Sequence, residues 1–381
     1  MGNIFRSLPI ITLTGPRQSG KTTLCRKVFA SLPYANLEDA STLAEARKDP
    51  KAFLAKYPQG VIMDEAQNFP EIFSDLQVAV DEDRMSGNER RFIVTGSNNF
   101  SLMQRISQSM AGRTAVMSLL PLSTEEIMSA YPDAKTSEML LCGGYPAIWS
   151  GGLDGRQILL SNYYTTYIER DVRSLVNVKD LQAFQMFIRL AAGRIGQEFN
   201  ASALSIEVGV SVPTIKNWLS VLSASYVVYL LQPYYANIGK RLAKTPKLYF
   251  YDTGLASFLL GINTVDQMEV HPLRGNLFEN MVLNDMLKHG ANLGRQETLF
   301  FYRDKSQREV DILRLMPEGT LEAYEVKAGM TFSVDYFKHL HYLQSLLGER
   351  LKRTAVVYDG NQENPQSIDG YCNFRHLRLE P

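Results

Sequence analysis

Cysteine is scarce in this 381-residue chain: there are three, Cys25, Cys142 and Cys372. They are scattered, odd in number and without metal-ligand spacing, which argues against a disulfide framework and points to a reducing compartment. Net charge is also lacking, because 40 Lys and Arg face 40 Asp and Glu. Any nucleic-acid surface must therefore come from local asymmetry. No apolar run approaches the roughly 18 residues of a membrane span. No signal peptide is expected, since Ile10-Ile11-Thr12-Leu13 leads straight into a glycine loop. Met1-Gly2 does not make a myristoylation signal, as Arg6 stands where Ser or Thr is wanted. The expectation is a cytoplasmic protein with no membrane partner. The remaining composition, 45% hydrophobic and 21% charged, is that of ordinary folded protein. The length allows about two to four domains.

Ile10 to Thr14 is apolar and β-branched, the pattern of a buried strand. Gly15-Pro16-Arg17-Gln18-Ser19-Gly20-Lys21-Thr22 follows and fills every fixed position of G-x-x-x-x-G-K-[ST]. Residues 23–30, from Thr23, read as a helix with Leu24, Val28 and Phe29 turned inward. Glycines let the backbone N–H groups converge on phosphate oxygens, and the helix start adds a positive dipole. Lys21 is expected at the β- and γ-phosphates of ATP, and Thr22 at Mg²⁺. A second apolar strand, Gly60 to Met63, ends in Asp64 and Glu65. Asp64 is the expected second Mg²⁺ residue, and Glu65 the base that polarises the attacking water. A third strand, Arg91 to Thr95, runs into Gly96-Ser97-Asn98-Asn99, where Ser97 or Asn98 is a candidate sensor of the γ-phosphate. Arg113, beside Gly112, is a candidate for stabilising transferred charge, in cis or from a neighbouring subunit.

These segments resemble the AAA-type branch of P-loop ATPases. More closely, they resemble prokaryotic ATPases that carry a C-terminal DUF4143 region. The matching words are the Gly-Pro-Arg-Gln loop, Asp64-Glu65-Ala66-Gln67, Thr95-Gly96-Ser97, Ala111-Gly112-Arg113, Gly143-Gly144-Tyr145-Pro146 and Tyr167-Ile168-Glu169-Arg170-Asp171. The resemblance implies an AAA-like α/β core with a parallel sheet, ATP hydrolysis and a helical lid after the core. AAA-type sites often need a neighbour's arginine, which makes a homo-oligomer the expected state.

Ser123 and Glu126 form a capping box that opens a largely helical stretch to about residue 175. Tyr163, Tyr164 and Tyr167 are expected to pack within it. From Asp180 the order is helix, helix, turn, helix and two strands, the order of a winged helix. Ser211 caps its second helix of the pair, with Pro213 in the first turn. Residues 208–251 contain no Asp or Glu but hold Lys216, Lys240, Arg241, Lys244 and Lys247. This asymmetry suits phosphate contacts to DNA, with Thr214, Lys216 and Asn217 facing the duplex. A protein-binding or structural module is the alternative, because the fold serves both.

The last 110 or so residues read α-β-β-β-α-β. Residues two apart in a strand share a face, so Glu309 pairs with Asp311 and Glu325 with Lys327. If these strands pair around the Pro317–Gly319 turn, acids and a lysine converge. Asp311, Glu325, Lys327 and the helical Glu279 resemble the PD-(D/E)xK nuclease pattern, with Glu279, Asp311 and Glu325 as a possible second Mg²⁺ site. A nuclease-like fold kept for binding, its charges closed in a salt-bridge cluster, is the alternative. The expected division is an ATPase core over 1–120, a lid over 121–178, a winged helix over 179–268 and a nuclease-like domain over 269–381. The expected function is Mg²⁺-dependent ATP binding and hydrolysis coupled to DNA; the alternative is a nucleotide-controlled assembly module.

Overall fold

The computed structural model describes residues 8–96, 112–172, 180–234 and 245–379. The chain folds as two compact units, Met1–Leu120 with Ala291–Arg295, and Pro121–Gly290 with Gln296–Pro381.

The first unit is built on five strands: β1 (Ile10–Thr14), β2 (Tyr34–Asn36), β3 (Ile62–Asp64), β4 (Phe92–Thr95) and β5 (Thr114–Ser118). Their order is β2-β3-β4-β1-β5, and every pairing is parallel. Both faces of this sheet are covered, so its central strands are apolar throughout rather than alternating. Ile10 packs with Met63, Val94, Phe53 and Phe73 on one face, whereas Ile11 and Leu13 pack with Ile62, Cys25 and Phe29 on the other. The helix Lys21–Val28 buries Cys25 where the sequence reading had turned Val28 inward; Val28 is 47% exposed. The helix starts at Lys21, and its register brings Cys25 onto the sheet four residues later.

The second unit opens with the expected capping box of Ser123 and Glu126 on the helix Thr124–Ala130. Tyr145, Tyr163 and Tyr167 are buried together, with Tyr145 and Tyr163 joined through their hydroxyls at 2.8 Å. The helix Ala201–Val208 ends on left-handed Gly209, and Ser211 then caps Val212–Ala224 by accepting from the Thr214 amide. Strands β6 (Gln197–Glu198), β7 (Val228–Pro233), β8 (Lys247–Phe250), β9 (Thr298–Arg303), β10 (Glu309–Leu315), β11 (Leu321–Lys327), β12 (Leu351–Tyr358) and β13 (Gly370–Asn373) form one sheet. Its order is β13-β12-β11-β10-β9-β7-β8-β6. β10 and β11 pair antiparallel around the Pro317–Gly319 turn. The antiparallel β7–β8 ribbon joins the C-terminal strands through Gln232 opposite Phe300 and Pro233 opposite Phe301. One hydrophobic core runs from Ile127 to Phe374, so the positions expected to separate domains, near 178 and 268, do not separate cores.

The Gly143-Gly144 pair fixes a crossing inside that unit. Gly143 adopts φ 67°, and a Cβ there would meet a carboxylate oxygen of Asp252 at 2.3 Å. A Cβ on Gly144 would meet the Leu122 carbonyl at 2.4 Å. The close approach lets buried Asp252 accept from the Gly144 amide at 2.7 Å while it caps the helix Thr253–Leu259 through the Leu255 amide at 2.8 Å. Loss of this carboxylate removes a cap and strands a buried N–H. Asp252→Ala should therefore cost about 2–4 kcal/mol, read as a lowered unfolding midpoint in denaturant. An unchanged midpoint would contradict this assignment.

Candidate functional site

The carboxyl ends of β1, β3 and β4 lie side by side in the first sheet, and each ends in a polar residue. Thr14 leads into the loop Gly15–Gly20, Asp64 ends β3, and Thr95 ends β4. Ligands of parallel sheets bind at this edge. The loop needs three positive φ angles, at Gly15 (140°), Gln18 (62°) and Gly20 (94°). A Cβ on Gly15 would also sit 2.2 Å from the Leu119 carbonyl, so only glycine fits there. Ser19 ties the loop internally, donating to the Pro16 carbonyl at 3.0 Å.

Lys21 opens the following helix and is 6% exposed. Its ammonium donates to the Gly15 carbonyl at 3.1 Å and the Pro16 carbonyl at 2.6 Å. Burial lowers its pKa to about 8, against the opposing pull of Glu65 and Asp64. A buried ammonium cupped by a loop is suited to a polyanion. Asp64, 3% exposed, collects donors. Thr22 donates to one of its oxygens at 2.6 Å and Tyr34 to the same oxygen at 2.7 Å. The Thr95 hydroxyl and the Glu65 amide serve the other oxygen. Glu65 is held in left-handed backbone, φ 55°, and its carboxylate accepts from the Gln67 side chain. Non-glycine residues in that conformation are costly and concentrate at functional sites. The Thr22–Asp64 pair offers a hydroxyl and a carboxylate oxygen at one point, a donor set suited to Mg²⁺.

Tyr34 and Thr95 are contributions that the sequence reading missed. Thr95 was visible as the end of a strand and within the Thr95-Gly96-Ser97 word, with no role toward Asp64 assigned, and Tyr34 sits on a three-residue strand with no local signal. Ser97 and Asn98 lie outside the described residues. Exposed Thr23 follows Thr22 on the helix. Arg113 is not brought to this site. It precedes β5, whose first residue Thr114 pairs with Ile10, at the amino edge of the sheet. Five residues at about 3.3 Å each separate that edge from the phosphate loop. There the guanidinium of Arg113 is engaged with Asp81 at 2.7 Å.

In the second unit, the acids expected from the nuclease-like pattern divide between two lysines, Asp311 and Glu325 with Lys327 and Glu279 with Lys247. Lys327 meets Glu325 at 2.6 Å and Asp311 at 4.0 Å. Asp311 accepts from the Val326 amide at 2.7 Å. Glu279, on the helix Arg274–Asn292, instead faces β8: Lys247 reaches it at 3.1 Å, and the Tyr249 hydroxyl donates to the same oxygen. Lys247 also meets Glu309 at 2.6 Å. Burial raises the pKa of Glu279 to about 7 and that of Glu325 to about 8, and Asp311 pushes both further up. Among the described residues no three His, Cys, Asp or Glu side chains are grouped to hold a metal ion. The expected Mg²⁺ set of Glu279, Asp311 and Glu325 is therefore not assembled.

Lys247, expected on a DNA-facing wing, is 3% exposed and committed to these acids, which removes it from that surface. Lys216 and Asn217 are exposed on Val212–Ala224, while the hydroxyl of Thr214 is engaged with Ser211 at 2.7 Å. Lys240, Arg241 and Lys244 lie outside the described residues. No described helix is long and apolar enough to cross a membrane.

Comparison with known proteins matches residues 7–128 to the AAA domain family. Residues 133–266 match a domain of unknown function, DUF8612, and residues 274–375 another, DUF4143. Uncharacterized proteins of Mycobacterium tuberculosis and Mycobacterium bovis are each 32% identical over 365 residues, covering 94% of this chain and 78% of theirs. Among solved structures, a Walker-type ATPase of Pyrococcus abyssi is 14% identical, with 68% of this chain and 93% of that chain covered and a TM-score of 0.45. A Thermotoga maritima RuvB variant is 16% identical, with 58% and 82% covered and a TM-score of 0.31. The match along nearly the whole chain places this protein in one family with its mycobacterial relatives, and the phosphate loop on its parallel sheet and the matched domains make the chain an AAA-type P-loop ATPase-like protein with a C-terminal DUF4143 region.

Proposed function

We propose that the chain binds ATP with Mg²⁺ at the Gly15–Thr22 loop and hydrolyses it. The observation that carries this reading is the buried Lys21 ammonium within the loop, beside the Thr22–Asp64 pair. Lys21 would turn from the loop carbonyls to the β- and γ-phosphates. Backbone N–H groups from Arg17 to Thr23 would hold the remaining oxygens, with Gly20 allowing the approach. Thr22 and Asp64 would hold Mg²⁺, which neutralises charge on the phosphate oxygens. Glu65, presented by its left-handed backbone and steadied by Gln67, would take a proton from the attacking water. Ser97 or Asn98 remains the proposed sensor. Arg113 fits only a neighbour's site, in a homo-oligomer, after release from Asp81.

What the ATPase drives is proposed to be DNA handling by the second unit. Support comes from the helix pair 201–224 with its exposed Lys216 and Asn217, and from the absence of acids over 208–251. The stretch 121–178 would serve as the lid that senses nucleotide, residues 179–268 as the winged helix, and residues 269–381 as the nuclease-like part. A second reading, in which nucleotide controls assembly and the nuclease-like part does not cut, is favoured by one observation: Lys247 is buried among the acids.

Lys21→Ala should abolish ATP binding, and Glu65→Gln should keep binding while lowering phosphate release at least 100-fold, on the order of a lost general base. Wild-type turnover in both variants would refute the site. For DNA, affinity should fall steeply with salt, and removing Lys240, Arg241 and Lys244 should reduce the slope of log K against log salt by about 3. Absence of binding at low salt would favour the assembly reading. Mass in solution should rise on adding Mg·ATP if Arg113 acts in trans; a monomer under all conditions would remove that role.

A further inference from the structure

Three helices of the second unit, Thr124–Ala130, Thr136–Cys142 and Pro146–Tyr163, line a cleft of about 530 Å³ together with residues 131–134. That volume is within the range of small-molecule sites. Buried Cys142 and Ile148 form its inner, apolar part. Tyr131 and Trp149 form an aromatic wall, with ring centroids 5.2 Å apart and planes tilted by 37°. The polar ends of both are already used. The Tyr131 hydroxyl donates to the Trp149 carbonyl at 2.9 Å, and the Trp149 indole N–H donates to the Gly143 carbonyl at 2.8 Å. What the two side chains offer the cleft is therefore ring surface, held in place by those bonds.

Asp133 and Glu138 complete the lining, and no Lys, Arg or His takes part in it. Half-buried Glu138 is oriented by its capping box, in which one oxygen accepts from the Lys135 amide at 2.8 Å. Neither acid forms an ion pair among the described residues. The charge of Glu138 is felt inside the cleft: burial pushes the Cys142 thiol up to about 12, Arg156 opposes the rise, and Glu138 adds to it. Arg156 does not line the cleft, and its guanidinium donates to the carbonyls of Leu141, Gly254 and Ile262. An anion would be repelled here, and a neutral apolar molecule would desolvate the acids without compensation. A cation on an apolar body satisfies both the rings and the carboxylates. We propose that this cleft binds a small organic cation, an ammonium or guanidinium group carried on an apolar body, with the body against Tyr131, Trp149 and Ile148 and the charge toward Glu138 and Asp133. The inference goes beyond the ATPase and DNA readings and depends on neither.

Tryptophan fluorescence of the full chain reports on this cleft. The chain has two tryptophans, and the other, Trp218, is 4% exposed and packed on Phe184 and Phe187. Three probes of similar size and different charge make the test: phenethylamine, a cation at neutral pH, phenethyl alcohol, which is neutral, and phenylacetate, an anion. Phenethylamine should change the emission saturably and bind about tenfold tighter than phenethyl alcohol, and phenylacetate should not bind. Glu138→Gln combined with Asp133→Asn should bring phenethylamine to the affinity of phenethyl alcohol. Glutamine keeps the capping box, so the helix start is retained. Trp149→Phe should lose the emission change. Equal binding of the three probes, or no saturable response to phenethylamine, would overturn the proposal. So would a preference for phenethylamine that survives the double variant, or an emission change that survives Trp149→Phe.

Discussion

The carboxylate of Asp64 is almost wholly buried, and it persists as a site because four donors reach it. Those donors come from four places in the chain: the phosphate-loop helix, β2, the end of β4 and the residue after Asp64 itself. The parallel order β2-β3-β4-β1-β5 is what brings them to one edge. Packing on both sheet faces holds that order, and the glycine loop then delivers Lys21 to the same edge. A buried charge must be met by donors or by an opposite charge. That requirement couples the strand order to the chemistry.

The same requirement organises the second unit with a different outcome. Asp252 is met by two backbone amides, and the glycine pair 143–144 exists to let one of them approach. Arg314, 1% exposed, is met by Glu297 and Glu322. Glu279 and Glu309 are met by Lys247. In the first unit the buried lysine donates its hydrogen bonds to loop carbonyls, which leaves its charge available to a ligand. In the second the buried lysine faces carboxylates, which consumes it. Burial alone therefore does not distinguish a working cation from a structural one; the partners do.

Much of the nucleotide site was legible because its chemistry is local. The loop, its strand and its helix are contiguous, and Asp64-Glu65 end an apolar run, so short-range pattern was enough. Tyr34 and Thr95 were not legible, because their relation to Asp64 depends on which strands become neighbours. Arg113 followed a motif whose words matched, yet its position at the amino edge of β5 is a matter of strand direction that no local word encodes. Lys247 was read by its charge and its neighbours in sequence, as part of a basic wing. Its burial follows from β7 joining β9, which places β8 against the helix that carries Glu279. The β10–β11 hairpin was legible from its turn and alternation, while the Lys247 ammonium that meets Glu309 was not.

The central claim is that Lys21, Thr22 and Asp64 form one site for a magnesium nucleotide. Titration of the full chain with ADP, with and without Mg²⁺, addresses it without requiring turnover. The account predicts one nucleotide per chain, tighter with Mg²⁺ than in its absence, and loss of that difference in Asp64→Asn with metal-free binding retained. Binding that is indifferent to Mg²⁺ in the wild type, or no nucleotide binding at all, would contradict it.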